Sequence, residues 1–470
     1  MPSTDAWVKG AFVALALVTL LHLSLMASDA SFGSFCVRPY VRSPFKRNQT
    51  DVADIDALHA AHDDELLHLV ELNVLCRKQD NALIPWTATS SRDMLRRDSP
   101  HTAILAELRK CPAVDIYLQT GVRDHGYCED AMAYTLHLQS RAIPRWVLES
   151  TFTDENGNTT TYFELCPRSA ILFMNHYWEE VHELPHFPST KKIVLMPNVE
   201  MGELQPWHYH RADIVLAKSR DAYTRIWSWY NQDFNNPRGA KVLYTQHTTS
   251  DATVLVRNAS NNGQLNGTLA PKDFGNLTIV HANGKSPFKN APTMLECWDD
   301  YPEFPTLHQY SSDDFSNGTF NELWDGKPPP NVDFHFGKYV SSLDFANILN
   351  DATVIACPSA MEGFGHYINQ ARAAGALVVT TDAPPMNEFM DNDSGVLIRG
   401  ITPRSGSVTM GQNFMFDVPT WAVCESIQVI LAMDPHERAR RAANGVRRYF
   451  KQLQYFKQSM QTLQAMVYQR

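Results

Sequence analysis

The sequence predicts an α/β protein made of two doubly wound parallel sheets, one following the other along the chain. From residue 111 onward, short continuous apolar runs alternate with helical stretches. Strands that are apolar on both faces belong to parallel sheets covered by helices on each side. The series pauses in a polar, Asn- and Gly-rich stretch near 250–275 and then restarts, which marks two units rather than one. The 470 residues are 44% hydrophobic and 11% aromatic, enough for two cores and incompatible with wholesale disorder.

The first thirty residues stand apart. Ala11 to Ala27 is apolar apart from Thr19, His22 and Ser24, and at 1.5 Å per residue such a run reaches roughly 25 Å, the short end of a membrane span. Lys9 precedes it and Asp29 follows, which favours a cytoplasmic N-terminus. Residues 1–30 are therefore expected to be a signal anchor, or a signal peptide cleaved near Ser28-Asp29-Ala30. Either reading sends the rest of the chain into the secretory lumen. An anchor makes it a single-pass type II protein of the Golgi or ER membrane; cleavage makes it secreted. Seven Asn-X-Ser/Thr sequons, at Asn48, Asn158, Asn258, Asn266, Asn276, Asn317 and Asn392, agree with that compartment. There some of the eight cysteines can pair, with Cys111, Cys128 and Cys166 as candidates, while Cys357 in an apolar run reads as a buried free thiol. A net charge of −10 excludes a general nucleic-acid binder, and a mean hydropathy of −0.30 excludes a polytopic membrane protein.

Residues 31–105 read as a stem with a helix from Asp51 to Cys76, whose His59, His62 and His68 sit on a solvated face. Residues 106–250 form the first sheet domain, with strands expected at 115–118, 146–148, 170–173, 192–195, 213–216 and 241–244. The sequon-rich 251–276 is an exposed connector. The second domain, 277–433, has strands expected at 277–280, 331–334, 353–356 and 377–380, and 434–470 is a helical return. In such sheets ligands bind beyond the carboxyl ends of the strands, which places the site in the cleft between the domains.

Two segments carry chemistry. In Cys357-Pro-Ser-Ala-Met-Glu-Gly-Phe-Gly-His-Tyr-Ile-Asn-Gln370 a strand ends, Gly363 and Gly365 turn tightly, and a helix begins. Free N–H groups at that helix start suit a diphosphate. At the end of the second domain's first strand, His281-Ala-Asn-Gly-Lys-Ser-Pro-Phe-Lys-Asn290 offers Lys285 and Lys289 to the same anion. Gly284-Lys285-Ser286 is not a P-loop, because position 279 is Ile where that motif needs Gly.

These segments resemble the C-terminal half of group 1 (GT4-like) glycosyltransferases of the GT-B fold. The likeness runs in order through Gly284-Lys285, Ser341 to Val354, Pro358 to Gly365, Ala374 to Thr381 and Pro385 to Glu388. It is looser in the first domain, at Arg211 to Ser219 and the Gly121–Cys128 loop. The resemblance implies two Rossmann-like domains and transfer of a sugar from a nucleotide-sugar donor to a glycan or glycoprotein acceptor. It also implies retention of configuration, no bound metal and no further cofactor. It implies that Lys285 and Lys289 meet the diphosphate, that Glu362 faces the donor sugar, and that Gly284 and Gly363, Phe364, Gly365 and His366 contribute to the donor site. The family usually has a second Glu eight residues after the first, on the ribose. Here that position is Gln370, which lacks the charge of a carboxylate. Glu388 stands where a later Gly-rich loop of the family ends, although prolines at 384 and 385 have replaced the glycines. The substitution at 370 keeps open a catalytically inactive relative acting as a lectin or binding partner. His125, Gly126, Asn198 and Glu200 are the candidates for the acceptor side, with His208 and His210 as polar loop residues rather than a metal pair. Asp54-Ile-Asp56 and Asp391-Asn-Asp393 follow no strand and read as solvated carboxylates.

Overall fold

The computed structural model describes residues 50–78, 80–122, 126–264, 271–338, 340–404 and 415–468. The expected anchor at 1–30, the sequons at Asn48 and Asn266, and His125 lie outside the described residues. Among the described residues no helix is long and apolar enough to cross a membrane.

The first sheet takes seven strands: β1 (Ile84–Pro85), β2 (Val114–Tyr117), β3 (Arg141–Ile143), β6 (Ala170–Met174), β7 (Ile193–Met196), β8 (Ile214–Ala217) and β9 (Lys241–Tyr244). A separate hairpin, β4 (Thr151–Thr153) with β5 (Thr159–Thr161), interrupts the series. The order is β1-β3-β2-β6-β7-β8-β9, parallel throughout except for β1, which runs antiparallel to β3. The second sheet holds β10 (Ile279–Gly284), β11 (Leu307–Ser311), β12 (Val332–Phe336), β13 (Val354–Cys357), β14 (Leu377–Thr381) and β15 (Val396–Ile398). Its order is β12-β11-β10-β13-β14-β15 and every pairing is parallel. Every residue of β2, β6, β7, β8, β13 and β14 is buried, as a sheet covered on both faces requires. The α/β class with two doubly wound sheets is thus as the sequence predicts.

Each sheet has a point where neighbouring strands wind in opposite directions, β2/β6 in the first and β10/β13 in the second. Crevices beyond the carboxyl ends at such points are where α/β sheets bind ligands.

Five expectations need correction. The stem histidines do not share a solvated face: His59 is buried against Phe450, with Nε2 3.0 Å from the Ala373 carbonyl. Trp146 to Leu148 is not a strand but part of the short Arg145–Glu149 helix; the strand is β3, just before Pro144. Three apolar residues in a row do not distinguish a strand from one buried helical turn. The stem is not free of the domain: in the Asp63–Lys78 helix Leu66, Leu69, Leu72 and Cys76 are buried at helical spacing, and Leu69, Leu72 and Cys76 join the first domain's core. The connector is not uniformly exposed either, since Val254–Asn261 is a helix with Val254, Val256 and Ala259 buried. Finally β11 and β15 were not expected; β11 alternates buried and half-buried residues around His308 and Tyr310, so it lacks a continuous apolar run.

The Pro435–Tyr468 helix starts on the second domain, where Ala442 joins that core, and ends with Phe456, Met460, Leu463 and Val467 in the core of the first. Disulfides join Cys76 to Cys128, Cys111 to Cys166 and Cys297 to Cys424, and Cys357 is a buried free thiol. Asn158, Asn276 and Asn392 are exposed, while Asn258 and Asn317 are half-buried on helices. Asp391 and Asp393 pair with Arg448 and Arg440 of the last helix, and Asp54 with Arg447, so neither Asp-X-Asp segment enters the cleft.

Candidate active site

Two loops meet beyond the ends of β10 and β13. The Gly284–Asn290 loop is tied to the β13 loop by Asn290 Nδ2 donating to the Pro358 carbonyl (2.7 Å) and the Ala360 N–H donating to the Phe288 carbonyl (2.7 Å). This sets Lys289 over the face of Tyr367, 4.1 Å from the ring centre. Lys285 is exposed at the rim of the same loop, beside Gly284, whose φ is +56°. Gly365 takes φ = +81° and precedes the His366–Ala373 helix, so the reversal into the helix needs a residue without Cβ. Glu362 accepts from Ser359 Oγ at 2.7 Å, and that hydroxyl also meets the Tyr367 hydroxyl. Thr381 Oγ1 donates to the Ser359 carbonyl (2.7 Å) and locks the turn from below.

The first domain closes over these loops. Gly126, with φ = +85°, passes His366, and a Cβ built on it would lie 3.7 Å from the imidazole. Glu200, beyond β7, presses against Gly363, where a Cβ would overlap both carboxylate oxygens. Burial pushes the Glu200 carboxyl up to about 7; Lys218 opposes the rise, while Glu362 and Asp130 add to it. Its Oε2 is buried with no hydrogen-bond partner. Asn198 Nδ2 donates to the Tyr127 hydroxyl (3.2 Å) and its backbone N–H to Asn175 Oδ1 (3.2 Å), so β6, β7 and the Tyr127–His137 helix converge at one point.

A polar knot joins the domains. Asp130, buried in the first turn of the Tyr127–His137 helix, lies 3.2 Å from Lys218 Nζ, 2.7 Å from His247 Nε2 and 3.2 Å from His366 Nε2. Burial alone would raise its carboxyl; Lys218 and the two histidines overcome that and hold it well below the carboxylate range. Burial drives His247 down to about 4, so its ring is neutral at pH 7 despite Asp130. The other nitrogen of His366, Nδ1, lies 3.0 Å from Thr249 Oγ1. His366, expected on the donor, is thus also the second domain's handhold on the first. Glu388 is occupied likewise: its carboxylate accepts the backbone N–H groups of Arg220 (2.6 Å) and Asp221 (2.7 Å), capping the Arg220–Tyr230 helix of the first domain.

Between the domains lies a cavity of about 290 Å³ lined by Lys289, Tyr367, Gln370, His366, Gly126 and Glu129. Asn73 and Arg77 of the Asp63–Lys78 helix line it too. The structure brings the expected donor-side Glu362, Lys289, Gly363, Gly365 and Gln370 near the expected acceptor-side Gly126 and Glu200, but buries Phe364 against His247 and Phe389. Sequence reasoning missed Asp130, Lys218, His247, Thr249 and Tyr367. Lys218 and His247 follow strands β8 and β9 at their carboxyl ends, which was a readable sign. Asp130 gave none, because only folding brings the first turn of its helix to the seam.

A family model for glycosyl transferases group 1 matches residues 327–403, which contain β12, β13, the Pro358–Gly365 turn and β14. No curated protein sequence matches the chain. Among solved structures the chain is similar to the α,α-trehalose 6-phosphate synthase of Burkholderia multivorans, at 9% identity and a TM-score of 0.50 over 75% of this chain and 96% of that one. It is also similar to a glycosyltransferase of Rickettsia africae (11% identity, TM-score 0.49, 75% and 98% covered). A third is the Anabaena protein HepE in complex with UDP and glucose (14%, 0.45, 75% and 100%). At such identities the likeness is one of fold: two Rossmann-like domains facing each other across a cleft, the GT-B arrangement.

Proposed function

We propose that this chain transfers a sugar from a nucleotide-sugar donor to a glycan or glycoprotein acceptor, with retention of configuration. One observation carries the reading. The Gly363–Gly365 turn, the start of the His366 helix and the Lys289 ammonium stand together at the β10/β13 switch point, on the wall of an interdomain cavity. Charge grows on the diphosphate as the glycosidic bond breaks. Unpaired N–H groups at a helix start and a fixed ammonium stabilise such charge without having to reorganise. Lys285 at the rim adds a second cation, and Glu362, fixed by Ser359, faces the donor sugar hydroxyls. Glu200, Asn198 and Tyr127 then form the opposite wall, toward the acceptor. The match of 327–403 to the group 1 family supports this assignment. Three disulfides support a lumenal location, in the Golgi or ER or after secretion.

Release of nucleotide from a panel of nucleotide-sugars tests the proposal. Lys289→Ala and Glu362→Ala are expected to lower the rate by at least tenfold while leaving the far-ultraviolet circular dichroism unchanged. Equal rates in both variants and the wild type overturn the site. Gln370 and the engagement of Glu388 with the first domain favour a second reading, a binding protein without transfer. Calorimetry with common nucleotide diphosphates separates the two, since absence of binding to any of them supports the binding protein.

A further inference from the structure

Strands β11 and β12 run side by side with His308 opposite Asp333 and Tyr310 opposite His335. Residues two apart on a strand share a face, so Asp333 and His335 project with His308, while Phe334 on the other face stacks on Phe320 at 4.3 Å. The three side chains converge. His308 Nδ1 lies 3.0 Å and His335 Nε2 2.9 Å from the same oxygen, Asp333 Oδ2. One ligand atom from each residue falls within 4.8 Å of the other two. Stacking on Tyr310, at 4.5 Å and 18°, fixes the plane of the His335 ring.

Metal bonds to imidazole nitrogen and carboxylate oxygen are about 2.0–2.2 Å long, so adjacent ligand atoms around one ion stand roughly 2.9–3.5 Å apart. The two separations here sit at the short end of that span. The side chains of His308, Asp333 and His335 are 31%, 47% and 21% exposed, which leaves an entry path and room for water to complete the shell. Among the described residues no Lys or Arg pairs with Asp333. The other His–carboxylate group, Asp130 with His247 and His366, differs on this point. Its Asp130 and His247 are buried, and Lys218 already supplies its cation at 3.2 Å.

We propose that His308, Asp333 and His335 form a three-ligand site for a borderline-soft divalent transition-metal ion of the zinc class. Two imidazoles with one carboxylate favour zinc, copper or nickel over magnesium or calcium. The ion clamps the edge strand β12 to β11. Just past β12 the Gly337 N–H donates to the Ser311 carbonyl (2.8 Å), and Val340 lies on the wall of the interdomain cavity.

The test uses the full chain stripped with EDTA. Calorimetric titration with zinc chloride is expected to show one site per chain above any weak background from the 18 histidines. His335→Gln, His308→Gln and Asp333→Asn should each weaken that site by more than the roughly 10–100-fold that loss of a merely supporting group costs. Bound Cu²⁺ should show coupling to two nitrogens in its paramagnetic resonance spectrum, and one fewer in either histidine variant. Zinc should raise the wild-type Tm by several degrees and leave that of the His308→Gln/His335→Gln double variant unmoved. Glutamine retains a donor for Asp333, and metal-free melts confirm that the variants fold. Superimposable zinc titrations of wild type and double variant, or copper spectra unchanged by the substitutions, overturn the proposal.

Discussion

Glu200 makes the energetics of the seam measurable. In the folded chain its carboxyl is pushed from 4.5 up to about 7, first by burial and then by Glu362 and Asp130. A carboxyl whose folded pKa is raised costs stability once the unfolded chain ionises it and the folded chain does not. Stability conferred by the protonated form is therefore complete below pH 4.5, shrinks as pH rises toward 7, and stays constant above. At 1.36 kcal/mol per pH unit the full penalty is about 3 kcal/mol. Glu200→Gln keeps the size and removes the ionisation. Guanidinium unfolding of both proteins, disulfides intact, at several values between pH 4 and 8.5 reads the difference. The variant is expected to gain about 3 kcal/mol on the wild type across that range, mostly between pH 4.5 and 7. A difference flat to within about 0.5 kcal/mol refutes the enclosure of this carboxyl.

Three further experiments probe other contacts. Glu388→Ala removes the acceptor for two helix-start N–H groups and should cost about 1 kcal/mol, read as a drop in the denaturation midpoint. Gly363→Ala needs no left-handed backbone, so its cost of about 1–3 kcal/mol is collision with Glu200; combining it with Glu200→Ala should recover most of that in thermal melts. Replacing Cys76 and Cys128 by Ser opens a loop with a sequence separation of 52 and should cost about 2–4 kcal/mol, with hydrogen exchange rising first in the Asp63–Lys78 helix.

Much of the second domain was legible because its chemistry is local. The strand ending at Cys357, the two glycines and the helix after them are contiguous, and each dictates its own conformation. Lys289 was legible for the same reason, one loop away on the neighbouring strand. The first domain was harder to read. Asp130, Lys218 and the His247/Thr249 pair come from three separate segments and meet only after the sheet has closed; Lys218 and His247 lie just beyond strand ends, but no spacing announces Asp130. Asn73 and Arg77 were hidden by composition: a helix with charged residues at both ends reads as a stem until the other face of the same helix is seen buried. Glu388 was expected on the donor, yet its carboxylate accepts from the start of a first-domain helix, a partner that strand counting does not suggest.

His366 is where closure and ligand binding meet. In the knot around Asp130 the Lys218 ammonium supplies the compensating charge, and His247 stays neutral at pH 7. Both belong to the first-domain side of the seam. His366 alone comes from the second, and it starts the helix whose N-terminus is the proposed diphosphate site. An anion on Gly363–Gly365 and the bonds of His366 to Asp130 and Thr249 are thus set by the orientation of one helical turn. Binding should favour the closed arrangement, and loss of the handhold should weaken binding in return, because such coupling is reciprocal. His366→Ala is expected to lower the affinity for a nucleotide diphosphate by roughly 5–150-fold, the usual range of such coupling. It should also enlarge the ligand-free radius of gyration in solution scattering, while His366→Gln, which keeps a donor, stays near wild type in both. Weakened binding with no change in dimensions would mean that His366 touches the ligand and does not hold the domains together. Changed dimensions with unaltered affinity would separate closure from the site altogether.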